Sequence, residues 1–172
     1  DVRKPDARGI TGGEIASIHR ALVLGIRDYA LKNGFEKALL GLSGGMDSAL
    51  VAALATEALG PENVLCVMMP SPYSSEGSIS DSVDLVENLG CESRTEPISE
   101  SFEQLAKQLR LDKPTRGGES LAAENMQSRL RGLILMAISN AEKRLLLSTG
   151  NKSELAVGYC TLYGDTNGGL AV

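Results

Sequence analysis

The apolar run Lys37-Ala38-Leu39-Leu40-Gly41 passes through Leu42-Ser43-Gly44-Gly45-Met46-Asp47-Ser48 into Ala49-Leu50-Val51-Ala52-Ala53-Leu54-Ala55. That order predicts a buried strand, a glycine turn and a helix. Two adjacent glycines let the backbone approach a ligand closely and adopt angles barred to other residues. The N–H groups that open the following helix point at the turn, where anions are favoured. Ser43 and Ser48 add hydroxyls, and Asp47 adds a carboxylate suited to a hard cation such as Mg²⁺. The stretch Leu42–Ala49 is therefore a candidate pyrophosphate cradle. No lysine follows Gly45, so it is not a Walker A loop. The plainer alternative is a glycine-rich turn with no ligand.

Alternating units extend this pattern. A helix is expected from about Ile15 to Lys32, capped near Thr11 and stopped by Asn33-Gly34, with Ile15, Ile18, Leu22 and Ile26 on one face. Asn63–Met69 reads as a second buried strand, ending in the polar loop Pro70–Ser75. A helix over Ser78–Leu89 follows, then a weaker strand over Glu92–Ile98 and a helix from Ser99 to about Leu109. Asp112–Gly118 is a polar break. A long helix is expected over Leu121–Glu142, with Met126, Leu130, Leu133, Ile134, Ala137, Ile138 and Ala141 as its buried stripe. Leu145–Thr149 is a further strand, leading to a short helix after Gly150. Such alternation calls for an α/β fold, an open parallel sheet with helices on both faces. Ligands of these sheets bind beyond the carboxyl ends of the strands. Three polar loops converge there: Ser43–Ser48, Ser71–Ser75 and Thr149–Glu154.

Composition narrows the function. A formal charge of −5 over 172 residues offers no global attraction to nucleic acid or acidic membranes. No apolar run approaches the ~20 residues that span a bilayer, and Asp1–Asp6 lacks the apolar region of a signal peptide. Cys66, Cys91 and Cys160 show no paired spacing, which fits reduced thiols in a cytoplasmic compartment. His19, the sole histidine, has no nucleophile or acid constellation around it in sequence, so a helix-surface role is expected.

Two more motifs carry chemistry. In Glu124-Asn125-Met126-Gln127-Ser128-Arg129-Leu130-Arg131, Asn125 and Arg129 are four apart and share a helical face. An amide and a guanidinium placed so can grip a carboxylate, ribose or phosphate, or form an ordinary solvated face. In Ser148-Thr149-Gly150-Asn151-Lys152-Ser153-Glu154, Glu154 would complete a metal site with Asp47, although the block also reads as a helix cap.

The S-G-G-x-D-S loop resembles that of the ATP pyrophosphatases. With the Asn125/Arg129 motif and the TGNKSE…GYCTLYGD block, in this order, the chain resembles NAD synthetases from Thr11 to Val172. That resemblance implies a Rossmann-like sheet of the adenine nucleotide alpha hydrolase type and a homodimer. It implies ATP held by Leu42, Ser43, Gly44, Gly45, Met46, Asp47, Ser48, Ala49 and Thr149, with Asp47 and Ser48 nearest the chemistry. It implies Mg²⁺ on Asp47 and Glu154. Deamido-NAD would be bound by Asn125, Arg129, Glu154, Tyr159, Cys160, Thr161 and Leu162. The implied reaction is amidation of deamido-NAD to NAD through an acyl-adenylate, releasing pyrophosphate and AMP.

Leu162 stands where ammonia-using members carry lysine, so the wording is nearer the glutamine-dependent members, whose separate glutaminase domain is not in these 172 residues. The family sheet domain normally continues past the position of Val172, so an incomplete synthetase domain is expected. Rival readings are another ATP pyrophosphatase, such as a GMP synthetase or a tRNA-modifying enzyme, or a nucleotide-binding module without catalysis. A tRNA enzyme would be expected to carry a basic stripe or cysteine pairs, and neither is present.

Overall fold

The computed structural model describes residues 12–71, 75–111 and 121–172. The elements are α1 (Gly12–Lys32), β1 (Ala38–Leu42), α2 (Met46–Leu59), β2 (Val64–Met68), α3 (Glu76–Leu89), β3 (Glu92–Thr95), α4 (Ser99–Leu109), α5 (Leu121–Glu142), β4 (Leu145–Ser148), α6 (Lys152–Val157) and β5 (Leu170–Ala171). A short 3₁₀ turn, Pro61–Asn63, leads into β2. The polar break expected over Asp112–Gly118 lies outside the described residues, as does the middle of the Pro70–Ser75 loop.

All five strands pair in parallel, in the order β3-β2-β1-β4-β5. Residues alternate between the faces, as a pleat requires. Leu40, Leu42, Cys66, Leu145 and Leu147 pack with Val51, Ala52 and Ala55 of α2 and Val86 of α3. Leu39, Leu65, Val67 and Leu146 pack on the other face with Ile98 and with Ile134, Leu135 and Ile138 of α5. Both faces of β1, β2 and β4 are covered, which is why these central strands are mostly apolar, whereas β3 at the edge is polar and largely exposed. The chain runs from β1 outward to β3, then returns to the opposite side of β1 as β4. This reversal opens a crevice beyond the carboxyl ends of β1 and β4.

Several expectations need correction. Ile15 and Ile18 are exposed; the buried stripe of α1 is Val23, Ile26 and Ala30. It meets Leu54 and Ala58 at the end of α2, and Arg27 Nε caps that end by donating to the Ala58 carbonyl at 2.8 Å. In α5, Leu133, Ala137 and Ala141 are exposed. The helix passes from α4, where Met126 and Leu130 meet Phe102, onto the sheet, where Ile134, Leu135 and Ile138 bury. Its contact face turns with it. β3 stops at Thr95 instead of Ile98. Pro97 has no N–H to donate to a ladder, yet Ile98 N still reaches the Pro70 carbonyl at 3.1 Å. β5, only two residues long, adds an edge strand that no sequence period announces.

At the amino-terminal ends of the strands, Arg144 is nearly fully buried and bonds Glu142 at 2.9 Å and Glu92 at 2.7 Å, while Arg94 meets Glu142 at 2.7 Å. This network lies at the end of the sheet opposite the crevice. His19 sits on the surface of α1 and meets Glu57 of α2 at 3.0 Å, as expected of a helix-surface residue. Among the described residues no helix is long and apolar enough to cross a membrane.

Candidate active site

The turn after β1 is built by its two serines. Ser48 is 2% exposed; its Oγ donates to the Gly45 carbonyl at 3.0 Å and accepts from Ser43 N at 3.3 Å. Gly45 N donates to Ser43 Oγ at 3.2 Å, and the two hydroxyls lie 3.1 Å apart. Gly44 has φ +80°, and a Cβ there would lie 2.7 Å from Ser78 Cα. Gly44 is thus required twice, by its left-handed backbone and by the flush approach of α3. Gly45, at φ −89°, needs no such freedom. It is the N-cap of α2 and carries no side-chain cap, which leaves first-turn N–H groups for an anion.

A cavity of about 540 Å³ opens on this turn, within the usual range for small-ligand sites. Leu42, Ser43, Gly45, Asp47, Ser48, Thr149 and Glu154 all line it. Asp47 is exposed in the first turn of α2, and Asn151 Nδ2 donates to its Oδ2 at 3.0 Å. Asn151 Oδ1 meanwhile accepts from Glu154 N at 2.9 Å and caps α6. The Asn-Lys-Ser-Glu block is a helix cap, as one reading of it expects, and it also places Glu154 on the cavity wall. Met46 is 84% exposed, so only its backbone is offered to the turn. Ala49 N continues α2 by donating to the Gly45 carbonyl at 3.2 Å.

The donor chemistry fits Mg²⁺. Two carboxylates, Asp47 and Glu154, face one cavity, and this ion takes one or two carboxylates with phosphate oxygens and water filling its octahedron. Among the described residues no cluster of three His, Cys, Asp or Glu is placed to cage a metal.

Asn125 and Arg129 do share a face of α5, but the chain itself occupies part of their bonding capacity. Thr161 Oγ1 donates to Asn125 Oδ1 at 2.9 Å, and Arg129 Nε donates to the Leu162 carbonyl at 3.1 Å. Ser128 Oγ accepts from Asp165 N at 3.1 Å. One turn further along α5, Gly132 lies so close to the segment that a Cβ would sit 2.9 Å from the Tyr163 carbonyl. Residues 125, 128, 129 and 132 thus form a rail that holds segment 161–167. Tyr159, Cys160 and Leu162 project into solvent beside it, and Thr161 is half-buried. Asn125, Arg129 and 159–162 form a second group on the far side of α5 from Arg131, and none of them lines the 540 Å³ cavity.

Sequence reasoning passed over several cavity residues. Ser78 and Ser82 of α3, Thr95 at the end of β3, Asp165 and Arg131 all line it. Arg131 stood inside the quoted motif, two residues beyond Arg129, but a two-residue step points to a different side of a helix. Its Nε donates to the Met69 carbonyl at 3.3 Å, and burial pulls its pKa below the usual guanidinium range.

A fully parallel sheet, wrapped on both faces and reversed beside a serine–glycine turn, defines an α/β protein of the adenine nucleotide alpha hydrolase-like fold. The chain belongs to the NAD synthase family, whose sequence profile matches residues 18–172. It is 57% identical over 173 residues to a glutamine-dependent NAD(+) synthetase of Synechocystis sp., covering 94% of this chain and 30% of that protein. A solved glutamine-dependent NAD⁺ synthetase of Acinetobacter baumannii, in complex with ADP, superposes with a TM-score of 0.87 at 40% identity, over 98% of this chain and 31% of that one. An NH₃-dependent NAD synthetase of Campylobacter jejuni gives 0.81 at 31% identity, over 91% of this chain and 65% of that one. The chain therefore spans about a third of the length of the glutamine-dependent relatives it matches.

Proposed function

We propose that this chain is the synthetase portion of an enzyme that amidates deamido-NAD to NAD with ATP, using ammonia released from glutamine by a glutaminase domain. The observation that carries this is the meeting of the Ser43–Ser48 turn with Asp47 and Glu154 in one cavity, in a member of the NAD synthase family. The ADP in the Acinetobacter baumannii relative supports a nucleotide here, and the glutamine-dependent relatives support glutamine as the nitrogen source.

A nicotinate carboxylate acylates poorly because its oxygens leave badly. Its attack on the α-phosphorus of ATP forms a carboxylate–phosphorus bond and breaks the bond to pyrophosphate. Ammonia then attacks the acyl carbon and AMP leaves with the bonding pair, giving the amide and, after loss of a proton, NAD. Such chemistry asks the protein for positioning and charge neutralisation, not for a covalent nucleophile. The Gly45 turn, the hydroxyls of Ser43 and Thr149 and the first-turn N–H groups of α2 bind and orient the departing pyrophosphate. Ser48, buried under the turn, holds it in shape. Asp47 and Glu154 would hold Mg²⁺, which supplies neutralisation of polyphosphate charge when bound. Asn125, Arg129 and the 159–162 segment receive deamido-NAD.

A homodimer is part of the same reading. It is supported by the exposed apolar side chains of Leu133, Leu162 and Tyr163 around Arg129, since such surface favours a partner. A cytoplasmic setting is supported by the three unpaired cysteines. The deciding experiment incubates the full-length protein with ATP, Mg²⁺, deamido-NAD and either ammonia or glutamine. Formation of NAD and AMP in equal amounts is expected. Release of ADP, or AMP formation independent of deamido-NAD, overturns the reading.

A further inference from the structure

Arg131 is the single cation among the described residues that line the cavity, against the carboxylates of Asp47, Glu154 and Asp165. These charges are not mixed. Asp47 follows β1, and Glu154 and Asp165 follow β4. Arg131, reaching over from α5, is tied to the end of β2 through the Met69 carbonyl at 3.3 Å. That bond uses Nε alone, and the guanidinium has two further nitrogens to offer. Arg94 and Arg144 each meet a carboxylate within 3 Å, whereas Arg131 pairs with no carboxylate among the described residues. A half-buried cation with no counter-ion is costly in the free protein, and an arriving anion removes that cost.

We propose that Arg131 binds the phosphate that joins the nucleoside, the α-phosphate of ATP and afterwards the phosphate of AMP. This rests on the adenylylation reading above and adds to it a residue and an atom. With the outer phosphates on the Ser43–Ser48 turn at β1, the chain of the nucleotide extends along the sheet edge. On the β2 side the first anionic group is the α-phosphate, and beside Arg131 the lining there includes Met69 and Leu135, with Thr95 beyond β2 as a neutral polar group. A guanidinium at that point faces the phosphorus at which the carboxylate attacks, where negative charge builds on the equatorial oxygens. The carboxylate side of the cavity answers the polyphosphate through a cation, and the Arg131 side answers the inner phosphate directly.

The test is calorimetric titration of the full-length protein and its Arg131→Gln and Arg131→Lys variants with AMP and with adenosine. In Arg131→Gln the AMP affinity is expected to fall about tenfold or more, as loss of a charge-assisted contact implies, with adenosine affinity unchanged. Arg131→Lys keeps the charge but loses the forked donor set, and is expected to fall between the two. Either variant shows the effect as a reduced ratio of AMP to adenosine affinity. An unchanged ratio overturns the proposal and leaves Arg131 as a brace for β2. Failure of the wild-type protein to bind ATP or AMP at all would overturn the adenylylation reading instead, and this assignment with it.

Discussion

Asn151 Nδ2 donates to Asp47 Oδ2 at 3.0 Å, a hydrogen bond that joins residues 104 apart in the chain. It binds the loop after β4 to the first turn of α2, so two of the cavity's carboxylates are placed by one amide: Asp47 directly and Glu154 through the cap of α6. The two functions of that amide can be separated. Asn151→Ser keeps a capping oxygen but is too short to span to Asp47. It is expected to fold with unchanged stability and to require severalfold more Mg²⁺ for half-maximal NAD formation. Asn151→Ala removes both functions and should cost about 1 kcal/mol in addition, read from chemical denaturation.

Gly44 and Gly45 are adjacent but not equivalent. Gly44→Ala places a Cβ on a left-handed backbone and against α3, and is expected to cost of the order of 2 kcal/mol or more and to abolish ATP binding. Gly45→Ala, at an ordinary φ, meets only Ser43 Oγ at 3.3 Å and is expected to stay within about 1 kcal/mol of the parent. Thermal unfolding and ATP titration of the pair check this; equal effects would contradict it.

Arg129 reaches the 161–165 turn through Leu162. Arg129→Ala is expected to weaken deamido-NAD binding about tenfold while changing ATP affinity less than twofold, because Arg129 and residues 159–162 do not line the cavity on which the Ser43–Ser48 turn opens. Amide exchange at residues 161–165 should accelerate in the same variant. Equal losses for both ligands in a titration would reject the role.

Cys66 of β2 and Cys91, just before β3, lie with their sulfurs 3.7 Å apart in the buried core, and burial pushes the Cys66 thiol well above its ordinary range. Cys160 is exposed. Since the thiolate is the reactive form, native protein at pH 8 should consume one equivalent of a thiol reagent quickly and all three only after denaturation. Mass spectrometry of the labelled peptides identifies the site.

Arg94, hydrogen-bonded to Glu142, draws that carboxyl below the usual glutamate range, with burial opposing and Arg144 adding to the pull. A folded pKa below the unfolded one gives stability that is fully present above the ordinary glutamate value and is lost as pH falls through the folded value. The pair is partly solvated, so the contribution is no more than about 1 kcal/mol. Glu142→Gln should lower stability at pH 7 and flatten its decline below about pH 4.3. A parallel decline in both proteins would remove Glu142 from acid unfolding.

Much of this architecture was legible in the chain because buried strands and their turns advertise themselves. Leu39–Leu42 and Val64–Met68 are apolar throughout, and glycine or proline punctuates each crossover, so the α/β class and the cradle followed from local pattern. The stripes of α1 and α5 differ from the expected ones because a helix buries only where something lies against it: Ile15 and Leu133 keep the right spacing but stay exposed among the described residues. β5 has two residues, too few to show a period, and exists because β4 offers an edge. Arg131 was missed for a related reason, since its importance comes from the strand end it reaches and not from its spacing.

Gly132 of α5 and Gly164 of the opposing turn lie where neither has room for a methyl group: Gly132 faces the Tyr163 carbonyl and Gly164 faces Ser128. The 161–165 turn is consequently seated on α5 with a glycine on each side of the seam, and the side chains of Asn167 and Ser128 fill the space that a methyl group would need. Its height over the helix is set like a key ground to one depth. Drift at either glycine would have to be answered by an accommodating change across the seam, so the two positions are expected to vary together or not at all.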